Sequence, residues 1–263
     1  FISLLLVTPQ FAQTSQRTLV KSFNVSKVNS IIFNLEGEVE VRKWKKGLMR
    51  VEMKISLENG NDRLLKSMVI ANRFKQVLGN LIDPDQTGFV LGRFIGENTR
   101  LLYDLMQIAE EKNLPGLLLF VDFEKAFDSL SWDFLQEVLK FFNFGQSIRN
   151  WVRIFYSNIN SAVNQGSNLS DFFNIERGCR QGDPLSPYLF ILCADILAIK
   201  LRNNKKIKGL KSVSIENKLS QFADDTAIIL DGSEESLMES MKDLNYFWEI
   251  SGLKINYSKT QVV

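Results

Sequence analysis

The sequence predicts an α+β fold in which a small β-rich segment precedes a larger part that mixes helices with short buried strands. Within residues 18–57, Glu36 to Val41 and Leu48 to Ile55 alternate apolar and polar side chains with the period of two that is typical of antiparallel strands. From Leu64 onward the apolar residues recur at helical spacing, and Asn59-Gly60-Asn61-Asp62 is a strong turn signal between the two parts. Short apolar runs that end in aspartates then separate the later helices.

The composition of the 263 residues excludes several kinds of catalysis. There is no histidine, which removes Ser-His, Cys-His and His-metal sites, so a catalytic centre must use carboxylates, Lys, Tyr or a metal held by oxygen. Cys179 and Cys193 are the only cysteines, and their spacing suits neither a disulfide framework nor a zinc site. The formal net charge of +2 divides into +5 for residues 1–69 and −3 for the remainder, and this slightly acidic body argues against nucleic-acid binding by bulk charge alone, although a local basic groove would still allow it.

The beginning of the chain predicts three successive segments. The apolar run from Phe1 to Val7 is too short to span a bilayer, so we expect no membrane span. Residues 1–13 resemble a signal-peptide remnant, with a buried strand or helix end as the alternative. Residues 14–62 are interpreted as a β-rich segment of different origin from residues 70–263. Within it, strands are predicted at residues 31–35, 36–41 and 48–55.

Amphipathic helices are predicted along the larger part of the chain from their apolar spacing. The last of them has Ser233 as its N-cap and ends at Gly252, which suits a left-handed C-terminal position. A hairpin is predicted between Asn160 and Phe173. The predicted helices cover residues 64–79, 97–112, 131–144, 148–156, 188–201 and 233–251.

Aspartates follow or separate the shortest apolar runs. Leu117 to Val121 predicts a strand buried on both faces, and Asp122 directly after it is either a ligand at the sheet rim or a helix N-cap. Leu219–Phe222 and Ile228–Leu230 predict a hairpin whose tight turn presents Asp224-Asp225 at its tip. A lone Asp-Asp pair is common in turns. Acids on separate strands, however, can bind two hard cations about 4 Å apart, as in-line phosphoryl transfer requires.

A glycine-rich loop with arginines lies between these two acidic positions, from Arg177 to Pro187. Gly178 and Gly182 would let the backbone approach a ligand closely. Arginines at a loop–helix junction favour contact with phosphate. The alternative is a capped helix start with solvated arginines.

Together these segments resemble the reverse transcriptase domain of non-LTR retrotransposons, the LINE-like elements. The resemblance covers the chain from about residue 70 onward, in the order and spacing of that family. The matching segments are Asp85-Gln86-Thr87-Gly88-Phe89 with Gly92-Arg93, Phe120 to Asp128 for motif A, Arg177 to Pro187 for motif B, Phe222-Ala223-Asp224-Asp225 for motif C, and Gly252 to Asn256 with Lys259-Thr260 for motif D.

The resemblance implies a right-hand polymerase palm with partial fingers, preceded by the small β-rich segment. The family carries a fingers segment before residue 70, with an Arg-Pro-Ile block and a Lys that this sequence lacks. We therefore expect a truncated or chimeric product joined near Lys66–Ala71, with the thumb absent after Val263.

The function that the resemblance implies is RNA-directed DNA polymerisation. Its cofactor would be Mg²⁺ as two ions, with Mn²⁺ as a substitute. Its partners would be an RNA template, a DNA primer and deoxynucleoside triphosphates, with no protein partner predicted. The location would be the nucleus or cytoplasm, although the chain starts like an exported protein. The alternatives are an inactive fragment that retains the fold or nucleic-acid binding, an exported β-rich protein with a fused C-terminus, and a generic Mg²⁺ nuclease.

The resemblance also assigns catalytic residues. Asp122 and Asp224 would ligate the metal ions. Asp225 would be a third acid, either as a ligand or as an electrostatic helper. Lys259 would approach the triphosphate as a proton donor to the pyrophosphate.

Substrate-binding residues are implied in the same way. Phe127 stands where such enzymes keep an aromatic gate against the sugar 2′-hydroxyl, which favours deoxynucleotides. The other residues expected to line the nucleotide and template pocket are Phe123, Arg180, Gln181 and Gly182.

Overall fold

The structure is a computed structural model that describes residues 15–24, 40–43, 48–57, 62–165, 168–212 and 215–263. The chain forms two compact units, Phe1–Val69 and Ile70–Val263. The expected signal-peptide remnant at residues 1–13 and the strand at 31–35 lie outside the described residues. The different origin of residues 14–62 stays a prediction.

The first unit contains a three-stranded antiparallel sheet in the order β1-β3-β2. Its strands are β1 (Ser15–Asn24), β2 (Glu40–Lys43) and β3 (Leu48–Leu57), and β1 pairs with β3 along its whole length. The predicted strand at 48–55 corresponds to β3, and the end of the one at 36–41 to β2. Strand β1 was not predicted, because Leu19-Val20 interrupts strict alternation of apolar and polar side chains.

All six predicted helices are present, with ends that differ by a few residues. The side chain of Ser233 accepts a hydrogen bond from the Ser236 amide, and Gly252 has a positive φ of 80°, as the N-cap and C-terminal predictions require. The helices are α1 (Asp62–Leu81), α2 (Ile95–Glu111), α3 (Ala126–Ser129), α4 (Trp132–Phe141), α5 (Gln146–Phe155), α6 (Ser186–Asn203) and α7 (Glu234–Ser251).

The central sheet of the second unit has the order β11-β12-β4-β13, with every neighbouring pair antiparallel. Its strands are β4 (Leu117–Val121), β11 (Leu219–Phe222), β12 (Asp225–Leu230) and β13 (Gln261–Val262). Three smaller two-stranded sheets complete the unit, and two of them form the predicted hairpin region around Asn160–Phe173. Their strands are β5 (Ile159–Ser161), β6 (Asn164–Gln165), β7 (Asn168–Leu169), β8 (Phe173–Ile175), β9 (Leu210–Ser212) and β10 (Ile215–Asn217).

The two faces of the central sheet are covered unequally. Leu119 and Val121 of β4 lie in the main core, which also contains buried residues of α4, α6 and α7. On the other face, Leu118 belongs to a smaller cluster with Leu105 of α2. The prediction that β4 is buried on both faces is wrong at Phe120, which is 36% exposed, because this second cluster does not extend over it.

Among the helices that the structure describes, none is both long enough and apolar enough to span a membrane.

Candidate active site

The pairing of β4 with β12 brings two acidic segments to the same end of the central sheet. Thr226 pairs with Val121, so Asp225 at the start of β12 and Asp122 just after β4 are the next positions along the two strands. Both strands are held in register by buried apolar side chains, for example Ile228 opposite Leu119. The rigid pair of strands therefore fixes the backbone from which these carboxylates project.

The hairpin turn is one residue shifted from the prediction. Asp225 is the first residue of β12 and pairs with Phe222, so Ala223 and Asp224, rather than Asp224 and Asp225, form the turn. Ala223 takes a left-handed conformation with a φ of 56°, which closes the turn earlier than expected. Asp224 therefore lies in the turn, whereas Asp225 is a strand residue with an exposed side chain.

The surroundings of Asp224 raise the pKa of its carboxyl group. Burial is the main reason that its pKa is raised above the ordinary value; a hydrogen bond from its own backbone amide lowers it, and the charges of Asp225 and Asp122 raise it further. Within the part of the chain that the structure describes, no Lys or Arg forms an ion pair with any of the three. We call Asp122, Asp224 and Asp225 the acidic centre.

Asp122 is anchored by the segment that follows α7. The side-chain amide of Asn256 donates to Asp122 Oδ2 at 2.8 Å, and the Asn256 backbone amide donates to the Asp122 carbonyl at 2.8 Å. The Asp122 backbone amide donates to Thr260 Oγ1 at 3.3 Å. Asp122 is not a helix N-cap, since α3 begins after Lys125, which has no capping side-chain bond. Sequence reasoning gave Asn256 no role, although it lies within motif D.

The loop after α1 supports the hairpin from the opposite side. The Gln221 amide donates to the Asp85 carbonyl at 2.8 Å, and the Thr87 amide donates to the Gln221 carbonyl at 2.9 Å. Gln86 thus forms a short parallel bridge to β11. A Cβ at Gly88 would lie 2.3 Å from the Ala223 backbone nitrogen, so only glycine allows this approach. This contact joins the first recognised motif to motif C, a role that the sequence did not reveal.

The two phenylalanines expected at the nucleotide have different environments. Phe127 is half-buried and stacks on Phe190 with ring centroids 4.2 Å apart. Phe123 is 8% exposed and lies in the main core, while its backbone bridges to Ile255. Its side chain therefore supports the site from the core rather than lining an open surface. Because so little of this side chain is exposed, its predicted contact with substrate stays a prediction.

The motif B loop packs directly on the segment after motif A. The Gly178 amide donates to the Leu130 carbonyl at 2.7 Å, and a Cβ at Gly178 would lie 2.6 Å from the Asp128 carbonyl oxygen. The Gln181 side-chain amide donates to Asp128 Oδ1 at 3.3 Å. Arg180, Gln181 and Gly182 are all exposed, as residues that contact a substrate must be.

A groove of about 670 Å³ lies beside this loop. Arg177, Arg180 and Gln181 form one of its walls, and Asn160 and Asn174 of the β5–β8 hairpin form another. Its lining is mainly polar, which suits a hydrophilic chain better than an apolar ligand.

Lys259 is the predicted catalytic residue with the weakest structural connection to the others. Its side chain is exposed, and its backbone amide donates to the Asn256 carbonyl at 3.1 Å. Across the described ranges, no hydrogen bond or ion pair joins its ammonium group to the acidic centre. Its approach to a triphosphate stays a prediction.

The acidic centre suits a divalent cation that is shared with a substrate. No group of three or more His, Cys, Asp and Glu side chains among the described residues could hold a metal ion by itself. Mg²⁺, however, is usually bound by one or two carboxylates together with substrate phosphates and water. The carboxylate oxygens of Asp122 and Asp224 are hard ligands, and the like charges that raise the Asp224 pKa would be relieved by a cation.

Comparison with known proteins agrees with the motifs. The family model described as "Reverse transcriptase (RNA-dependent DNA polymerase)" matches residues 42–263 and so begins earlier than the expected start near residue 70. A Xenopus laevis protein, "Transposon TX1 uncharacterized 149 kDa protein", is 30% identical over 201 residues, which are 76% of this chain. A Pol polyprotein from a type-1 retrotransposable element R2 of Nasonia vitripennis is 27% identical over 71% of this chain. The chain spans 15% and 18% of the lengths of these two relatives.

Solved structures show the same fold at low sequence identity. A telomerase structure from Candida albicans, in complex with a fragment of telomeric RNA, has a TM-score of 0.54 and 14% identity, and it covers 76% of this chain and 34% of that protein. Apo telomerase from Candida tropicalis, truncated from its C-terminal domain, has a TM-score of 0.52 and 15% identity, and it covers 86% and 49%. The expected polymerase-type α+β fold is thereby confirmed.

Proposed function

The chain belongs to the reverse transcriptase (RNA-dependent DNA polymerase) family, and on that premise we propose that it adds deoxynucleotides to the 3′-hydroxyl of a DNA primer along an RNA template. The observation that carries the proposal is the position of Asp122 just after β4 and of Asp224 in the turn just before the neighbouring β12, where their charges interact and no described basic residue neutralises them. An unneutralised acidic pair at a rigid sheet end is suited to phosphoryl transfer, which depends on positioning and electrostatics rather than on a histidine base.

The acidic pair would hold divalent cations together with the triphosphate of the incoming nucleotide. Two bound Mg²⁺ ions would activate the attacking hydroxyl and stabilise the leaving phosphate. Asp122 and Asp224 would ligate them, while Asn256 orients the Asp122 carboxylate through its 2.8 Å hydrogen bond. Asp225, exposed beside them, would add negative charge to the same region.

The residues around the acidic centre would select and orient the nucleotide. Phe127 would meet the sugar and exclude a 2′-hydroxyl, because its stacking on Phe190 restricts its movement. Gln181 lies beside Asp128 through its 3.3 Å hydrogen bond and would contact the base pair being formed. Arg180 is exposed on the same loop and would bind phosphate. RNA in the adjacent groove would account for its polar lining.

Primer extension tests this proposal. The 263-residue chain is incubated with an RNA template, a DNA primer, deoxynucleotides and Mg²⁺, and extended products are resolved by length. We expect Asp224→Asn to lower the extension rate by at least about a thousandfold, because metal charge stabilisation is worth several kcal/mol. Glu249→Gln, which removes an exposed carboxylate from α7, should leave the rate unchanged. Equal rates for the native chain and Asp224→Asn would overturn the proposal, whereas RNA binding without extension would favour an inactive nucleic-acid-binding fragment.

A further inference from the structure

The buried side chain of Gln86 contacts the turn of the β11–β12 hairpin through hydrogen bonds to Ala223. It is 0% exposed, and it is 137 residues away in sequence from the turn residue that it contacts. Its side-chain amide nitrogen donates to the Ala223 carbonyl at 3.1 Å, and its amide oxygen accepts from the Ala223 backbone amide at 2.8 Å. The same oxygen accepts from the Gly88 amide at 2.8 Å. One side chain therefore pairs both backbone polar groups of a single turn residue.

Ala223 needs such a partner because of its own conformation. Its φ of 56° is in the left-handed region, which costs an alanine about 1 kcal/mol and is normally occupied by Gly, Asn or Asp. Alanine has no polar side-chain atom with which to stabilise this geometry locally. Ala223 is also 5% exposed, so water contributes little to pairing its backbone groups. The conformation of the turn therefore depends on contacts from outside the hairpin.

We propose that Gln86 is a positioning residue that holds the Ala223 turn in its left-handed conformation and so sets where Asp224 meets Asp122. This inference rests on the proposed function, since it concerns the same acidic centre. Asp224 follows Ala223 directly, and a change in the Ala223 dihedral angles would swing the Asp224 carboxylate away from Asp122. The three hydrogen bonds of Gln86 resist that change without touching either carboxylate.

Asn98 of α2 provides a matched control, because its side chain contacts β11, the strand that leads into the same turn. Its side-chain amide donates to Ser220 Oγ at 2.7 Å and to the Gln221 carbonyl at 3.0 Å. It therefore also ties a distant amide side chain to β11, but it stops short of the turn. A variant at Asn98 loses these bonds and the one that its amide oxygen accepts from Thr87 Oγ1. Both hydrogen bonds between Gln86 and Ala223 keep their partners in that variant.

The test measures the binding of Mn²⁺ to the 263-residue chain in the presence of template, a dideoxy-terminated primer and a deoxynucleoside triphosphate, by the electron paramagnetic resonance signal of the free ion against a blank without protein. We expect Gln86→Met to raise the Mn²⁺ dissociation constant by about tenfold, as loss of an orienting partner typically does. Asn98→Leu should leave it unchanged, and Asp224→Asn should raise it further than Gln86→Met. In primer extension, Gln86→Met should need correspondingly more Mg²⁺ for half-maximal rate.

The reference variants separate the two ways in which this can fail. Native affinity in Gln86→Met with weakened affinity in Asp224→Asn overturns the positioning role and leaves the proposed function intact. Equal weakening in Gln86→Met and Asn98→Leu also overturns it, because the effect would then come from general loss of stability. Native affinity in Asp224→Asn overturns the metal site itself. If Gln86→Met shows no cooperative thermal melt, Gln86→Asn replaces it, since its shorter side chain cannot reach both Ala223 groups.

Discussion

Two groups of three aspartates occur in the second unit, and they differ in what balances their charge. The acidic centre has no ion pair among the residues that the structure describes, and burial, together with the charges of Asp225 and Asp122, raises the Asp224 pKa. The other group, which we call the arginine cluster, surrounds Arg202 with Asp83, Asp85 and Asp195. Arg202 Nη1 lies 3.2 Å from Asp83 Oδ1 and 2.8 Å from Asp85 Oδ2. Arg202 Nη2 lies 3.8 Å from Asp195 Oδ1.

This difference in charge balance suits a structural role for the arginine cluster and, under the proposed function, a catalytic role for the acidic centre. In the arginine cluster the chain supplies its own cation: burial raises the pKa of Asp85 above its ordinary value, and the Arg202 guanidinium offsets part of that rise. In the acidic centre, under the proposed function, the corresponding cation would be a metal ion. Both groups meet at one loop, because Asp85 belongs to the arginine cluster and its neighbour Gln86 contacts the hairpin. The arginine cluster thus anchors the loop that positions the acidic centre.

The largest effect expected from this comparison is that of Arg202→Met. The substitution would leave three carboxylates close together without a cation, and we expect the free energy of unfolding to fall by about 4 kcal/mol. Denaturant unfolding at pH 7.5 measures the change. The control is Lys206→Met, which breaks the ion pair between Lys206 and Glu239. Because the Lys206 side chain is 60% exposed, we expect the free energy of unfolding to fall by less than about 1 kcal/mol. Similar losses in both variants would show that Arg202 has no special part in the fold.

The sequence predicted the residues of the acidic centre, but it did not predict the side chains that hold them in position. Strand β4 was predicted from a run of five apolar residues, and the β11–β12 hairpin from the segments Leu219–Phe222 and Ile228–Leu230 on either side of Asp224-Asp225. The contacts of Gln86 and Asn256 were not predicted, since each joins segments more than a hundred residues apart through an uncharged amide. The turn was misplaced by one residue because nothing local marks Ala223 for a left-handed conformation. Such details depend on tertiary contacts rather than on periodicity.

Asp195 offers a smaller and pH-dependent effect within the arginine cluster. It is 1% exposed on α6, and burial raises its pKa from the ordinary value of 3.8 to about 6 despite the nearby Arg202. Above pH 6 the folded chain carries this charge at a cost. As the pH falls from 6 towards 4, the folded state binds a proton that the unfolded chain does not, so this group's contribution to stability rises.

Asp195→Asn should therefore raise the free energy of unfolding by about 2 kcal/mol at pH 8, and the gain should vanish near pH 4. Urea unfolding of both chains across this range measures the difference directly. A variant that is less stable than the native chain at pH 8 would show that attraction to Arg202 outweighs the burial of the Asp195 charge.

The smallest effect is the stability change in Asp224→Asn, and it completes the comparison between the two groups. Because the Asp224 pKa is raised in the folded chain, its charge destabilises the fold at neutral pH, and this effect is lost as the pH falls. We expect Asp224→Asn, measured with EDTA present, to raise the free energy of unfolding by about 0.5 kcal/mol at pH 7.5. Glu249→Gln should leave the free energy of unfolding unchanged. The substitution expected to lower extension would thus stabilise the fold, in keeping with the proposal that Asp224 serves a cation that the chain itself does not supply. A loss of stability would instead reveal a favourable partner for Asp224 within the protein.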